Sequence, residues 1–387
     1  MNPVPAATNA ALLVALANGT WWSLASLAAL RRPSKDTSES APRLRMVTIV
    51  PAHNEESMLG ACLQSLRESS AGHHREVVVV ADNCTDQTAA VAQLFGATTL
   101  ERHDVQRIGK SYALDFAIEY LRSQEVHPDA LLFVDADSTV SPEFFQALER
   151  RFSQGAGAVQ LHYRAAPGTS SLGKLRGIAL ELIHWSRPLG ASRLGLGTTL
   201  KGNGMGLRWD LVRDGFGGEG LAEDAATTLS LARRGVAIAF EPSASVTGFM
   251  AQDYNSARTQ DERWERGRLS LVGKALTAAA TAFAHGNVAA AAGALEVASL
   301  PLSLVTGIVV AGGIVSTLGY ASTGLAIGSA AALGLYVIAG LAAARMPLSE
   351  LTALTAVPRY VVHKAGVYIR VVMRPARGWQ RTERPTP

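Results

Sequence analysis

The chain has 387 residues, of which 48% are hydrophobic and only 18% charged, with a formal net charge of +4. So long and apolar a chain buries a sizeable core, which excludes general disorder. Its basic residues gather beside apolar segments, where an anionic lipid surface attracts them, so the expected partners include membrane lipids and no nucleic acid.

Residues 6–30 carry no charge and are long enough to cross a hydrocarbon core of about 30 Å. A cleaved signal peptide opens with a basic region, and nothing before Arg31 is basic, so the segment reads as an anchor. Arg31, Arg32, Lys35, Arg43 and Arg45 follow it and place its C-terminal side in the cytoplasm. With the polar linker 33–42, this gives an N-terminal anchor unit, 1–43.

Residues 44–275 alternate strands and helices. A buried strand is predicted over 46–50, followed by Pro51-Ala52-His53-Asn54-Glu55-Glu56 and an amphipathic helix to about Leu66. A Val-rich strand over 76–81, a turn from Asp82 to Asp86 and a helix over 87–95 repeat the pattern. A helix over 109–121 and a strand over 130–134 lead to Asp135-Ala136-Asp137. Such alternation predicts an α/β fold with a mostly parallel sheet, whose ligands sit at the carboxyl ends of the strands, where these acidic turns fall. Cys62 and Cys84 form no disulfide framework and no Cys-x-x-Cys pair, in keeping with a reducing cytosol. The Gly202-Asn203-Gly204-Met205-Gly206 run has the wrong spacing for a dinucleotide fingerprint, and there is no Walker loop, which argues against hydride transfer.

Asp135 and Asp137 can reach a common region after their strand, an oxygen-rich setting that suits a hard divalent cation bridging the phosphates of a nucleoside diphosphate. Asp82 either caps the next helix or accepts a hydrogen bond from a base or ribose; Asp86 reads as a cap. Lys110, beside Gly109 at a helix start, meets a phosphate or is merely solvated. Glu223 and Asp224 open a helix where the dipole favours carboxylates, and one of them facing the cleft can take a proton from a sugar hydroxyl. Gln260, Arg263 and Trp264 share one helical face, offering an amide, a guanidinium and an aromatic plate, although an ordinary amphipathic helix is the alternative.

Between His285 and Arg345 the only charged side chain is Glu296, and two spans are predicted at 297–318 and 322–343, a transmembrane hairpin within 286–345. In the tail 346–387, Arg359, His363, Lys364, Arg370, Arg374 and Arg377 alternate with apolar residues. Such a basic amphipathic segment lies on a cytoplasmic leaflet or packs against the central domain.

The ordered set of Pro51-Ala52-His53-Asn54-Glu55-Glu56, Asp82, Asp135-Ala136-Asp137, Glu223-Asp224 and Gln260-Asp261-Glu262-Arg263-Trp264 resembles the family-2 inverting glycosyltransferases of the cellulose-synthase and hyaluronan-synthase type. The resemblance implies a GT-A fold, a nucleotide-diphosphate sugar donor and Mg2+ or Mn2+. It also implies that Asp82, Asp135, Gln260 and Arg263 bind the donor, with Lys110 a secondary donor-binding candidate from its own position, that Asp135 and Asp137 bind the metal, and that Trp264, Gly202 and Asn203 bind the acceptor, with Asp224 as general base. Trp185, Arg187 and Lys201 lie where that family places acceptor-facing segments. The chain departs from the long-chain synthases in having about three apolar spans and a short C-terminal part. The expectation is therefore transfer of one sugar to a lipid-linked or glycan acceptor, at a bacterial-type inner membrane and with the catalytic domain cytoplasmic, ahead of processive polymerisation. A sugar nucleotidyltransferase would begin with a Gly-rich loop, and a non-catalytic scaffold would have no use for Asp137, Asp224 and Arg263 together.

Overall fold

The computed structural model describes residues 4–31, 43–70, 75–216 and 222–373. The linker 33–42 and the charges Arg32, Lys35, Arg374 and Arg377 lie outside the described residues. The chain begins with α1 (Val4–Ala29), then alternates β1 (Met46–Ala52), α2 (Leu59–Ser69), β2 (Glu76–Asp82), α3 (Thr88–Leu94), β3 (Thr98–Arg102), α4 (Lys110–Ser123) and β4 (Ala130–Phe133). Parallel neighbours need a crossover long enough for a helix, and α2, α3 and α4 provide them. Strands buried on both faces read as continuous apolar runs, and Val78, Val79 and Val80 are all fully buried.

The second half departs from strict alternation. It runs β5 (Thr139–Val140), α5 (Phe144–Ser153), β6 (Ala158–Ala165), α6 (Ser171–Glu181), α7 (Arg187–Arg193), β7 (Met205–Arg208), α8 (Trp209–Val212), α9 (Glu223–Arg233) and β8 (Ile238–Gly248). The eight strands form one sheet in the order β3-β2-β1-β4-β7-β6-β8-β5. Pairing is parallel among β3, β2, β1 and β4, while β7 runs antiparallel to both β4 and β6. One apolar layer joins α2 and α5 to the sheet around Leu63, Phe144 and Phe152; the other joins α4 around Leu114, Phe133 and Leu207.

Beyond the sheet come α10 (Tyr254–Leu269), α11 (Val272–Ala284), α12 (Val288–Ala298), α13 (Leu302–Thr317), α14 (Thr323–Ala343) and α15 (Val357–Met373). The span expected over 297–318 is not one straight helix: α12 and α13 meet at an angle of 62° across Ser299, Leu300 and Pro301. Pro301 explains the break, since the residue before a proline is driven out of the helical region. Asn18 of α1 satisfies the freed polar groups, its Oδ1 accepting from Leu300 N and from Ser299 Oγ, both at 3.0 Å. Helices α1 and α14 are long and apolar enough to cross a membrane, and the bent pair α12 and α13 makes a third crossing if it counts as one span.

Of the two placements open for the tail, the structure has α15 packed on α10. Lys364 Nζ donates to Glu265 Oε1 at 2.5 Å, and Arg370 Nε to Glu262 Oε1 at 2.5 Å.

Helix α1 is seated against α7 and α14. Ser23 Oγ donates to Ala332 O at 2.7 Å, and the Ser26 and Ser186 hydroxyls are 2.6 Å apart. At Gly190 of α7 an added Cβ would lie 1.7 Å from the Ala25 carbonyl oxygen, so only glycine admits this approach. Gly190→Ala is expected to force α1 and α7 apart at a cost of about 1–3 kcal/mol. Thermal unfolding of the solubilised protein would read this as a lowered Tm, and an unchanged Tm would mean that the contact contributes little.

Candidate active site

A cleft of about 1490 Å³ opens at the carboxyl ends of β1, β2 and β4 and runs along α6 and α10 to α13 and α15. Asp82, Lys110, Asp135, Asp137, Glu223 and Asp224 line its polar end. The acidic turns therefore converge on one space, as a sheet with this strand order requires.

The turn after β4 is held from beneath by Asn203. Its Oδ1 accepts from Asp135 N at 3.1 Å, and its Nδ2 donates to Ser138 Oγ at 2.8 Å. Ser138 Oγ in turn donates to Asp137 Oδ1 at 3.1 Å. Asn203 is only 1% exposed and does not reach the cleft wall, so its expected acceptor contact is corrected: it is an internal strut. Gly202 does line the cleft, with φ +79°.

Lys110 is not merely solvated. Its ammonium pairs with Asp135 and donates to Gly202 O at 2.6 Å. Burial works to lower its pKa, but the carboxylates of Asp135, Glu223 and Asp224 outweigh it and the net shift is upward. Asp224, in the first turn of α9, accepts from Ala225 N at 2.8 Å. An added Cβ on Gly202 would lie 3.6 Å from Asp224 Oδ2 and 3.8 Å from Lys110 Nζ, so these three residues border one spot. Burial pushes the Asp224 carboxyl above its ordinary range against the pull of Lys110 and Lys201; burial and the adjacent Asp224 do the same to Glu223.

Asp82 is buried at the end of β2, where its Oδ1 accepts from Arg102 Nη1 at 2.7 Å. Burial raises its pKa although Arg102 opposes this. Asp86 does act as a helix-start acceptor, taking Thr88 N at 3.0 Å.

Gln260, Arg263 and Trp264 all line the cleft from α10. Gln260 Oε1 accepts from Arg176 Nη2 at 2.6 Å, and Asp261 Oδ1 from Arg176 Nη1 at 2.9 Å. The same guanidinium sits over the Trp264 ring at 5.8 Å. Trp264 remains 40% exposed, an aromatic face open to the cleft.

Trp185 and Arg187 do not line the cleft. A single π-helical turn, Leu182–Ser186, directs Ile183 and His184 into the cleft. Trp185 instead packs against His162 and Phe240, and Arg187 pairs with Glu296 at 2.8 Å. Arg102, Arg176 and His184 escaped the sequence reading. Arg102 ends a short strand without alternation, and Arg176 sits in an apolar stretch that carries no motif.

The donor set fits a hard cation held jointly with a ligand. Among the described residues no group of three or more His, Cys, Asp or Glu could hold a metal alone. Asp135 and Asp137 supply two carboxylates, the number with which Mg2+ is usually bound when phosphates and water complete its shell.

A family model described as Glycosyltransferase like family 2 matches residues 42–267. The chain is 32% identical over 132 residues to a dolichyl-phosphate beta-glucosyltransferase of Drosophila melanogaster, covering 30% of this chain and 38% of that protein. It is 35% identical over 94 residues to a 4,4'-diaponeurosporenoate glycosyltransferase of Staphylococcus aureus, covering 24% of each. The chain thus spans well under half the length of these relatives. Among solved structures, the mannosyltransferase PcManGT of Pyrobaculum calidifontis, in complex with GDP-Man and Mn2+, shares the fold. Its TM-score is 0.53 at 19% identity, covering 87% of this chain and 97% of that one.

Asn203→Ala removes the two bonds by which Asn203 braces the Asp135 turn and leaves buried polar groups unpaired. A stability loss of about 2 kcal/mol is expected in denaturant unfolding. A loss below about 0.5 kcal/mol would show that the turn holds without its strut.

Proposed function

This chain belongs to the glycosyltransferase-like family 2, and on that premise we propose that it moves a sugar from a nucleotide-diphosphate donor, by inversion, onto the head group of a membrane-lipid acceptor. It is a glycosyltransferase with a GT-A-type α/β domain. The observation that carries the acceptor reading is the continuity of the cleft: its polar end holds the acidic turns, and its other arm is walled by Leu302 and Thr306 of α13 and Val357 and Val361 of α15.

In this reading α1 and α14 cross the inner membrane of a bacterial-type cell and the sheet domain lies in the cytoplasm. Asp82, Lys110, Asp135, Gln260 and Arg263 hold the donor, and Asp135 and Asp137 hold Mg2+ or Mn2+. Bound there, the ion would neutralise charge on the departing nucleoside diphosphate. Asp224, whose carboxyl Lys110 and Lys201 pull toward ionisation against the effect of burial, takes the acceptor's proton, and Trp264 offers its face to the acceptor. The small number of long apolar helices among the described residues favours single transfer over polymerisation with secretion through a channel of the chain's own.

Nucleoside-diphosphate release by detergent-solubilised protein, with a panel of sugar nucleotides and a membrane lipid extract, tests this. Release is expected to need lipid extract and a divalent ion, and to fall at least about a hundredfold in Asp137→Ala. Release that survives chelation and Asp137→Ala would overturn the metal assignment, and release without lipid extract would overturn the acceptor assignment.

Asp224→Asn is expected to lower kcat by about 10²–10⁴. Because its carboxyl is raised, activity should fall with decreasing pH at a limb above the usual Asp range of about 4. A limb at the ordinary value, or one that persists in Asp224→Asn, would remove Asp224 from the base role.

A further inference from the structure

Two polar groups on the cleft wall take no part in the donor contacts above. His184 projects from the π-helical turn Leu182–Ser186, a local geometry that recurs at functional sites. Its ring stacks on Tyr163 at 5.4 Å, and its buried Nδ1 has no hydrogen-bond partner among the described residues. Burial, followed by the charge of Lys201, holds His184 well below its ordinary pKa, so its imidazole is neutral.

Lys201 also lines the cleft. Its backbone N is fixed by Gln160 Oε1 at 2.8 Å, but its Nζ has neither a hydrogen bond nor an ion pair among the described residues. The nearby carboxylates are engaged: Glu296 Oε1 accepts from Arg187 at 2.8 Å, and Asp224 accepts from its own helix start. Arg268 adds a second positive charge, and its Nη2 donates to Ser299 O at 2.5 Å and to Glu296 O at 3.3 Å. An ammonium withdrawn from water without a partner is costly, and burial lowers the Lys201 pKa to about 8. An anion on a ligand would supply the missing partner. Past this point the wall turns apolar through Leu180, Ile183, Val297 and Leu302.

We infer that His184 and Lys201 form a head-group subsite for an anionic amphiphile, a long-chain phosphate or carboxylate, seated between the acidic turns and the apolar arm of the cleft. Its place beside the donor rests on the transferase reading. In transfer, a head-group oxygen bonds to the sugar's anomeric carbon as the bond from that carbon to the diphosphate breaks. The electron pair leaves with the nucleoside diphosphate; a proton on a monoanionic phosphate passes to Asp224, whereas a carboxylate attacks with no proton to transfer. The neutral imidazole, one nitrogen a donor and the other an acceptor, orients the head group while Lys201 balances its charge.

Equilibrium binding to the full chain in non-ionic detergent, without sugar nucleotide, tests the subsite with farnesyl phosphate, palmitate and farnesol as probes. At least one anion is expected to bind ten or more times tighter than farnesol. Whichever of phosphate and carboxylate binds tighter identifies the head group. Lys201→Met should abolish the preference and Lys201→Arg should retain it, which separates lost charge from a lost fold. His184→Phe should weaken anion binding several-fold and leave farnesol unchanged. Equal affinity for anions and alcohol in the wild type, or an undiminished preference in Lys201→Met, would overturn the subsite. Since no donor is present, failure of sugar transfer would count against the transferase reading alone.

Discussion

The ion pair between Lys110 and Asp135 is the contact on which the polar end of the cleft depends. Asp82, Asp135, Asp137, Glu223 and Asp224 face one space, and carboxylates gathered in partly buried surroundings repel one another and resist ionisation. Lys110 places a cation among them from the first turn of α4, reaching the turn after β4 and the Gly202 carbonyl ahead of β7. Arg102 does the same for Asp82. One cation opens a crossover helix and the other ends the edge strand β3, so strand order and charge balance specify each other.

A second balance lies at the opposite end. Arg187 is buried between Glu296 and Tyr336 and stacks over Trp22 at 4.3 Å, which joins α7, α12, α14 and α1 around one guanidinium. A buried guanidinium is tolerable only with its donors satisfied, and these helices must assemble to do so. Arg268, on α10, holds the carbonyls at the end of α12. The cleft is thus bounded by helices whose relative positions are set by charge as well as by apolar packing.

Much of the first half of the sheet was legible because Val-rich runs ending in acidic turns leave few alternatives, as β1, β2 and β4 bear out. β3 was missed because Thr98–Arg102 lacks both alternation and strong apolarity. The break at Pro301 was passed over because the stretch from Val297 to Leu318 satisfies a hydropathy window regardless of its backbone. Site residues announced by motif, such as Asp135 and Trp264, do line the cleft, whereas Asn203 shows that a motif does not reveal which way a side chain points. His184 faces the cleft and Trp185 packs away from it within a π turn, which adds a residue to the helical period that 3.6-residue reasoning does not register.

The seat of α1 has a consequence for the order in which the molecule is made. Its Ser23 finds Ala332, 309 residues later, and its Asn18 finds Leu300, 282 residues later. Helix α1 must therefore wait until α14 has been made before its polar side chains are satisfied, while the sheet between them can close in the interval. Contacts of such separation form late and slowly. A chain halted before α14 would present α1 as an unfinished surface for quality control to find.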